Sequence, residues 1–102
     1  MDKRYNELPL GQQLALRKQA VDDVLANPSW PLPDVIRHLK TTMRLTAAEF
    51  STLAGVSLKT LQNLERGDSP GNVQSVNRVL GVLGLRLGVV RDTRDVEETA
   101  SR

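Results

Sequence analysis

The sequence predicts an all-α fold, a small helical bundle, and three observations support this prediction. Apolar residues recur at intervals of three and four along most of the chain, which is the period of helices with one buried face. Glycines and prolines interrupt that pattern at positions where helices start and stop. The 102 residues include no cysteine and only 3% aromatic residues, so aliphatic side chains must build the core without disulfides.

The first predicted helix spans residues 10–26. Several apolar side chains fall near one face of it, namely Leu10, Leu14, Val21, Val24 and Leu25. Asn27 and Pro28 end the helix, because the residue before a proline is pushed away from helical geometry. We therefore treat residues 1–31 as an N-terminal extension that carries one helix.

The connector and the second helix contain the only tryptophan and the only histidine. Trp30 has two interpretations, an anchor for a partner or a plug packed against the protein's own helices, and the usual burial of large aromatics favours the plug. The helix begins near Pro33 and runs through Arg44, with a buried stripe of Leu32, Ile36, Leu39 and Met43. His38 is expected to be a solvated surface residue, since no second ligand or catalytic partner lies nearby in the sequence.

Residues 45–67 predict two short helices joined by a tight turn. Thr46 and Glu49 have the spacing of a capping box at the start of the first helix. Gly55 falls where a helix can end in the left-handed conformation, which costs glycine nothing sterically. Ser57 is a good N-cap for the second helix. The local signals therefore define both ends of the turn.

The second of these helices has an apolar side and a polar side. Leu61 and Leu64 lie on its buried side, and Gly67 ends it. Its outer side carries hydrogen-bonding groups, namely Lys59, Thr60, Gln62, Asn63 and Arg66. Two helices joined by a glycine-containing turn of about three or four residues form a helix-turn-helix, whose second helix enters the DNA major groove.

This segment resembles the phage-repressor (Cro-like, XRE) helix-turn-helix family. The matching residues are Leu45, Thr46, Glu49, Ala54, Gly55, Val56, Ser57, Leu61, Leu64, Glu65 and Gly67. The resemblance extends from about residue 33 to residue 90 and implies a lambda-repressor-like DNA-binding domain over residues 32–90. Two positions depart from the family pattern: Ala47 stands where a glutamine usually braces a phosphate, and Ser51 replaces a small alanine near the turn.

The resemblance also implies functional residues. The exposed start and middle of the reading helix, residues 57–66, would contact bases through Leu58, Lys59, Thr60, Gln62 and Asn63. The candidates for phosphate contacts are Thr46, Ser57, Arg66 and Asn72. In the family a basic residue at the position of Lys40 pairs with the glutamate at Glu65 and fixes the angle of the reading helix. The alternative is two independent solvated charges.

A further helix and a change of period follow. Asn72 can cap a helix that Gly84 ends, with apolar residues Val73, Val76, Val79, Leu80 and Leu83. In residues 85–90 the period becomes two, with Leu85, Leu87 and Val89 on one side. A lone strand in a helical chain is unstable, so we expect it to pair with a second subunit, as in several antitoxin-like members of the resembled family. The alternative is a fifth helix packed on the core, and residues 91–102 are expected to be a disordered tail.

Charge and composition bound the function. The net charge is +2, and residues 32–90 hold seven basic and four acidic residues, so the positive excess lies in the segment proposed to meet phosphate. With one histidine, no cysteine and no metal-ligand cluster or glycine-rich phosphate loop, we expect neither an enzyme nor a cofactor or metal. No apolar run reaches the length of a membrane span, so we expect a cytoplasmic protein without a membrane partner.

The sequence therefore favours a homodimeric, sequence-specific transcriptional regulator, most simply a repressor, that binds double-stranded DNA. One module covers too few base pairs for useful specificity, whereas a dimer reads two half-sites. Two alternatives remain open. The first is an antitoxin that binds its own operator and also a toxin protein, through the helix 10–26 or through the tail. The second is a protein-interaction module without DNA binding, which Ala47 and the low net charge favour.

Overall fold

The computed structural model describes residues 4–68 and 71–91. Within those ranges every regular element is helical, which confirms the all-α prediction: a 3-10 turn (Tyr5–Glu7), α1 (Leu10–Ala26), α2 (Leu32–Thr42), α3 (Ala47–Ala54), α4 (Leu58–Arg66) and α5 (Val73–Gly81). In that part of the chain no helix combines the length and the apolar character that crossing a bilayer requires. The predicted tail lies outside the described residues, apart from Arg91.

The core lies between α2, α3, α4 and α5. Its largest fully buried side chains are Phe50, Ile36, Leu39, Leu61 and Val79, and burial of each aliphatic one stabilises the fold by about 1.5–3 kcal/mol. The start of α5 approaches α4 so closely that a Cβ on Gly71 would lie 2.6 Å from the Leu64 side chain. Gly71 also has φ +65°, so only glycine fits there without strain.

The ends of α3 and α4 follow the local sequence. The Glu49 N–H donates to Thr46 Oγ1 at 3.0 Å, and the Thr46 N–H donates to Glu49 Oε1 at 2.8 Å, which completes a capping box. α3 ends at Gly55, with φ +72°. Ser57 Oγ then accepts the Thr60 N–H at 3.0 Å and starts α4. Local hydrogen bonds and one left-handed glycine thus define the connection of residues 55–57.

α1 packs on α2 along one edge of its predicted apolar face. Ala20 is fully buried, and Val21 and Val24 pack partly buried against the core. In contrast, the three leucines of the predicted face are exposed, at 69% for Leu10, 56% for Leu14 and 64% for Leu25. The helical period shows on which side of α1 the apolar residues lie, but it does not show which of them a neighbouring helix covers.

Trp30 and His38 both contribute to the contact between α1 and α2. Trp30 packs partly buried against the core, as the plug interpretation requires, and its ring lies edge-on to His38 with centroids 5.0 Å apart. His38 Nε2 lies 2.8 Å from Asp23 Oδ2 of α1 and 3.3 Å from Thr42 Oγ1. The prediction of a solvated His38 is therefore wrong: a carboxylate distant in the sequence is brought to it by the packing of α1.

Residues 85–90 form neither a helix nor a strand in the single chain. The alternative of a fifth helix here is therefore wrong. Leu85 packs partly buried against the core, and the Leu87 N–H donates to Asn77 Oδ1 of α5 at 2.8 Å. Beyond this anchor Val89 and Val90 are almost wholly exposed. A strand shared with a second copy stays a prediction, because it needs a chain that the structure does not contain.

Candidate nucleic-acid interface

α4 has a covered side and a solvent side. Leu61, Leu64 and Glu65 are buried against the neighbouring helices. Three of the five expected base contacts, Leu58, Lys59 and Gln62, are exposed, and the other two, Thr60 and Asn63, are partly exposed. α4 packs on α2, α3 and α5, so the orientation of its polar side is set by contacts on several sides.

A shallow groove joins α4 to the start of α5. Its volume is about 270 Å³, and it is lined by Thr60, Asn63, Leu64, Gly71, Asn72 and Ser75. The groove brings two expected base-contacting residues next to Asn72, one of the expected phosphate contacts. Asn72 Oδ1 accepts the Ser75 N–H at 2.7 Å as the cap of α5, so its amide N–H groups are directed away from that bond. Polar donors from two helices therefore meet at one place.

Arg66 makes two side-chain contacts within the protein. Its Nη2 donates to Asn63 Oδ1 at 3.1 Å, and its Nε lies 3.2 Å from Asp68 Oδ2. The pair with Asp68 is exposed on both sides, at 61% and 65%, and exposed pairs of this kind contribute only about 0–1 kcal/mol. A phosphate could therefore replace Asp68 as the partner of Arg66 at little cost.

Two further phosphate candidates have hydroxyls used in helix caps. Ser57 Oγ donates to Thr60 Oγ1 at 2.8 Å besides accepting the Thr60 N–H. Thr46 lies at the start of α3, whereas the turn follows the end of α3. The eight residues of this helix place Thr46 about 12 Å from the turn. Ser57 thus contacts Thr60, which lines the groove of α4 and α5, whereas Thr46 does not line it.

A carboxylate accompanies Thr46. The backbone N–H of Thr46 that donates to Glu49 holds the pKa of this carboxyl below its usual value, with a smaller contribution from the Thr46 side chain. Glu49 is therefore ionised at neutral pH and places negative charge beside Thr46. Ala47 follows directly without a polar side chain, and the positive charge of Arg4 makes only the smallest contribution to the lowered pKa of Glu49. This corner is a less favourable place for a phosphate than the groove.

Lys40 and Glu65 are in contact rather than separately solvated. Lys40 Nζ donates to Glu65 Oε2 at 2.8 Å, and the two side chains are 24% and 10% exposed. Within the described part of the chain, Glu65 Oε1 is buried and has no hydrogen-bond partner. The carboxylate therefore depends on Lys40 for compensation of its charge.

Two arginines that the sequence did not single out hold the same segment. Arg37 Nη1 donates to the Glu65 carbonyl oxygen at 2.6 Å. Because Arg37 lies three residues before Lys40, on the same side of α2, the sequence could have indicated that it also contacts α4. Arg78 Nη1 of α5 lies 3.4 Å from the Gly55 carbonyl oxygen, and nothing in the sequence indicates this contact. Both arginines bring positive charge to the ends of α4.

The replacement of alanine by Ser51 is accommodated locally. Ser51 is 5% exposed, and its Oγ donates to the Ala48 carbonyl oxygen at 2.8 Å. The added hydroxyl therefore has a partner inside α3 and does not disturb the contact with α4. Among the described residues no group of three or more histidine, cysteine, aspartate and glutamate side chains could hold a metal ion.

Comparison of the chain with protein-family models, with curated proteins and with solved structures found no match. Three features of the chain bear on its function: the short helix α4 with its exposed polar side, the groove lined by amide and hydroxyl groups, and the arginines at both ends of α4.

Proposed function

We propose that the protein is a sequence-specific DNA-binding transcriptional regulator, most simply a homodimeric repressor. In this proposal α3, residues 55–57 and α4 act as a lambda-repressor-like helix-turn-helix. The main support is α4 itself, which buries Leu61 and Leu64 and turns its polar side to solvent beside the start of α5. A helix presented in this way fits the major groove, which is about 12 Å wide.

The exposed side chains of α4 offer complementary chemistry for base edges. Lys59 can donate to guanine O6 or N7, and Gln62 or Asn63 can make the two-pronged contact with adenine. Leu58, 41% exposed at the start of α4, can contact a thymine methyl group. Thr60 lies at the edge of the groove and would support these contacts. Each good bidentate pair contributes about 1–3 kcal/mol of discrimination.

Phosphate contacts would fix the register of α4 on the duplex. Asn72 and Ser57 are the N-caps of α5 and α4, and the N-terminus of a helix favours a phosphate. Arg66 would exchange Asp68 for a phosphate. Thr46 is the weakest member of this set, because Glu49 adds negative charge next to it.

Two half-sites would be read by two copies. Residues 85–90 are proposed to pair with the same segment of a second chain, through Leu85, Leu87 and Val89. The support is that Leu85 is anchored on the core while Val89 and Val90 beyond it have no cover in the described part of the chain. A dimer of this kind would place two α4 helices about one helical turn of DNA apart. The proposal involves no catalytic step and no cofactor.

The test is selection of bound sequences from a random duplex library, followed by affinity measurements. Asn63→Ala should weaken binding to the selected site about 5–150-fold, which corresponds to one lost bidentate contact, and should hardly change binding to random DNA. Gln12→Ala, on the exposed side of α1, is the control and should bind normally. Equal losses on both DNAs would refute base reading by Asn63, and the absence of any salt-sensitive binding would favour the protein-interaction module.

An antitoxin is the second candidate, because the protein exposes apolar side chains outside α4. Leu10, Leu14 and Leu25 of α1 and the end of the described chain, at Val89 and Val90, are all exposed. Such an antitoxin would bind its own operator through α4 and a toxin protein through one of these surfaces. An adjacent toxin-like reading frame whose product co-purifies with this chain is the required observation, and its absence rejects the candidate.

A further inference from the structure

α1 carries an apolar stripe that α2 does not cover. Leu10, Leu14 and Leu25 are between 56% and 69% exposed. With 3.6 residues per turn they fall within about 60° of one another around the helix, and the half-buried Val21 lies between them. Single exposed leucines are ordinary, but three on one stripe form a surface that a partner can cover. We call Leu10, Leu14, Val21 and Leu25 the α1 stripe.

Charged residues along α1 are ordered by sign. Arg17 and Lys18 come first, and Asp22 and Asp23 follow. Lys18 and Asp22 lie on the solvent side of the α1 stripe, 78% and 55% exposed, and their Nζ and Oδ2 atoms are 2.6 Å apart. Asp23 is engaged by His38. Lys18 and Asp22 are the two exposed charges of α1, and exposed pairs of this kind are weak enough to be exchanged for the equivalent pair with a partner.

We propose that the α1 stripe binds the α1 stripe of a second copy of this chain in antiparallel orientation. Leu14 then faces the partner's Leu25, and Lys18 faces the partner's Asp22. A two-fold axis makes both contacts occur twice, as an isologous interface requires. In a parallel pair with a two-fold axis, Lys18 and the partner's Asp22 would lie on opposite flanks of the interface and would not meet.

The order of charges favours a second copy over an unrelated protein. The sequence of signs along α1 is complementary to its own reverse, so this single helix supplies both halves of a matched interface. α1 has 17 residues and is about 25 Å long, so one helix pair forms an interface at the small end of the usual range. We therefore expect association that weakens on dilution.

This interface is separate from the one proposed for residues 85–90 and does not depend on DNA binding. A chain that uses both surfaces would form species larger than a dimer. Such assemblies would also explain why a helix with so little buried surface of its own carries three exposed leucines.

The absence of cysteine allows a direct test by disulfide cross-linking. The Leu14→Cys and Leu25→Cys chains, mixed and oxidised with diamide, should form a covalent heterodimer at least about tenfold faster than either chain alone, because pairing raises the local thiol concentration. Gln12→Cys, exposed on another side of α1, is the matched control and should cross-link slowly with each chain. Equal rates for the mixture and for the separate chains would overturn the proposal.

Charge reversal gives a second, independent test. Asp22→Lys and Lys18→Asp should each lower the weight-average mass measured by sedimentation, whereas their mixture should restore the mass of the unmodified chain. Both positions are exposed, so the variants are expected to fold, which circular dichroism checks. A mass unchanged by either variant would overturn the proposal, as would a stripe covered by the chain's own tail or by a different protein.

Discussion

α4 and α1 differ most in how they are held. α4 has nine residues, a serine cap at its start and a left-handed glycine at its end, and it contacts three other helices. α1 has 17 residues, no side-chain cap and a single fully buried residue, Ala20, and it packs mainly on α2. The shorter helix is therefore the more firmly oriented one. Neighbours and caps, rather than length, fix the direction in which a helix presents its exposed side chains.

The polar contact that holds α4 is also more buried than the one that holds α1. Both involve α2, which holds α4 through Lys40 and Glu65 and holds α1 through His38 and Asp23. The first pair is largely buried, with Glu65 10% exposed, whereas His38 and Asp23 are both 31% exposed. Solvent screens the second pair more strongly. We therefore expect substitutions around α4 to cost more than the matching substitutions around α1.

The largest expected effect is that of a core leucine in α4. Leu61→Ala should lower the free energy of unfolding by about 2–5 kcal/mol, because Leu61 is fully buried and its truncation leaves a cavity. Leu25→Ala, at an exposed position of α1, is the matched control and should change it by no more than about 0.5 kcal/mol. Urea unfolding of dilute protein measures both. Similar losses for the two variants would contradict the difference between the helices.

The next effect concerns the contact between α2 and α4. Lys40→Met should cost about 1–3 kcal/mol, because it leaves the buried Glu65 carboxylate without its partner. Replacing both residues, with Lys40→Met and Glu65→Leu, should cost less than the sum of the single changes. Urea unfolding of the four proteins gives the coupling energy, and Lys59→Met on the exposed side of α4 is the control. Additive losses would show that the two side chains act independently.

A smaller effect is expected where α2 holds α1. His38→Ala should cost about 0.5–1.5 kcal/mol and should increase amide hydrogen exchange in α1 while α4 stays protected. The observation behind this is the bond of 2.8 Å between His38 and Asp23. Gln12→Ala, at an exposed position of α1 outside the α1 stripe, should leave exchange in α1 unchanged. Uniform loss of protection in α1 and α4 would mean that the two helices open as one unit.

The same contrast explains how far the sequence predicts this structure. Caps and left-handed glycines are local, so Thr46, Glu49, Gly55 and Ser57 indicate the ends of α3 and α4 without knowledge of the rest. The covered face of α1 and the environment of His38 depend on where α2 lies, and no local pattern contains that information. For the candidate site, the exposed side of α4 follows from the positions of Leu61 and Leu64. The contact of Arg78 with the turn arises only when α5 has packed.

The smallest effect is a pH dependence at the start of α3. The Thr46 N–H lowers the pKa of Glu49 in the folded state, so this carboxylate stabilises the fold at pH values above its unfolded pKa of about 4.3. The contribution is lost as the pH falls from there through the lower folded-state pKa.

Glu49→Gln keeps an acceptor for the Thr46 N–H but removes the charge near the helix N-terminus. The variant should therefore be less stable than the unmodified chain by about 0.3–1 kcal/mol at neutral pH and low ionic strength, and the difference should shrink as the pH falls below about 4.3. Urea unfolding across this range measures the difference, with Glu7→Gln, at an exposed residue of the 3-10 turn, as the control. A stability difference that stays constant with pH would show that the cap acts through its hydrogen bonds alone. The charge of Glu49 would then contribute nothing to the stability of α3.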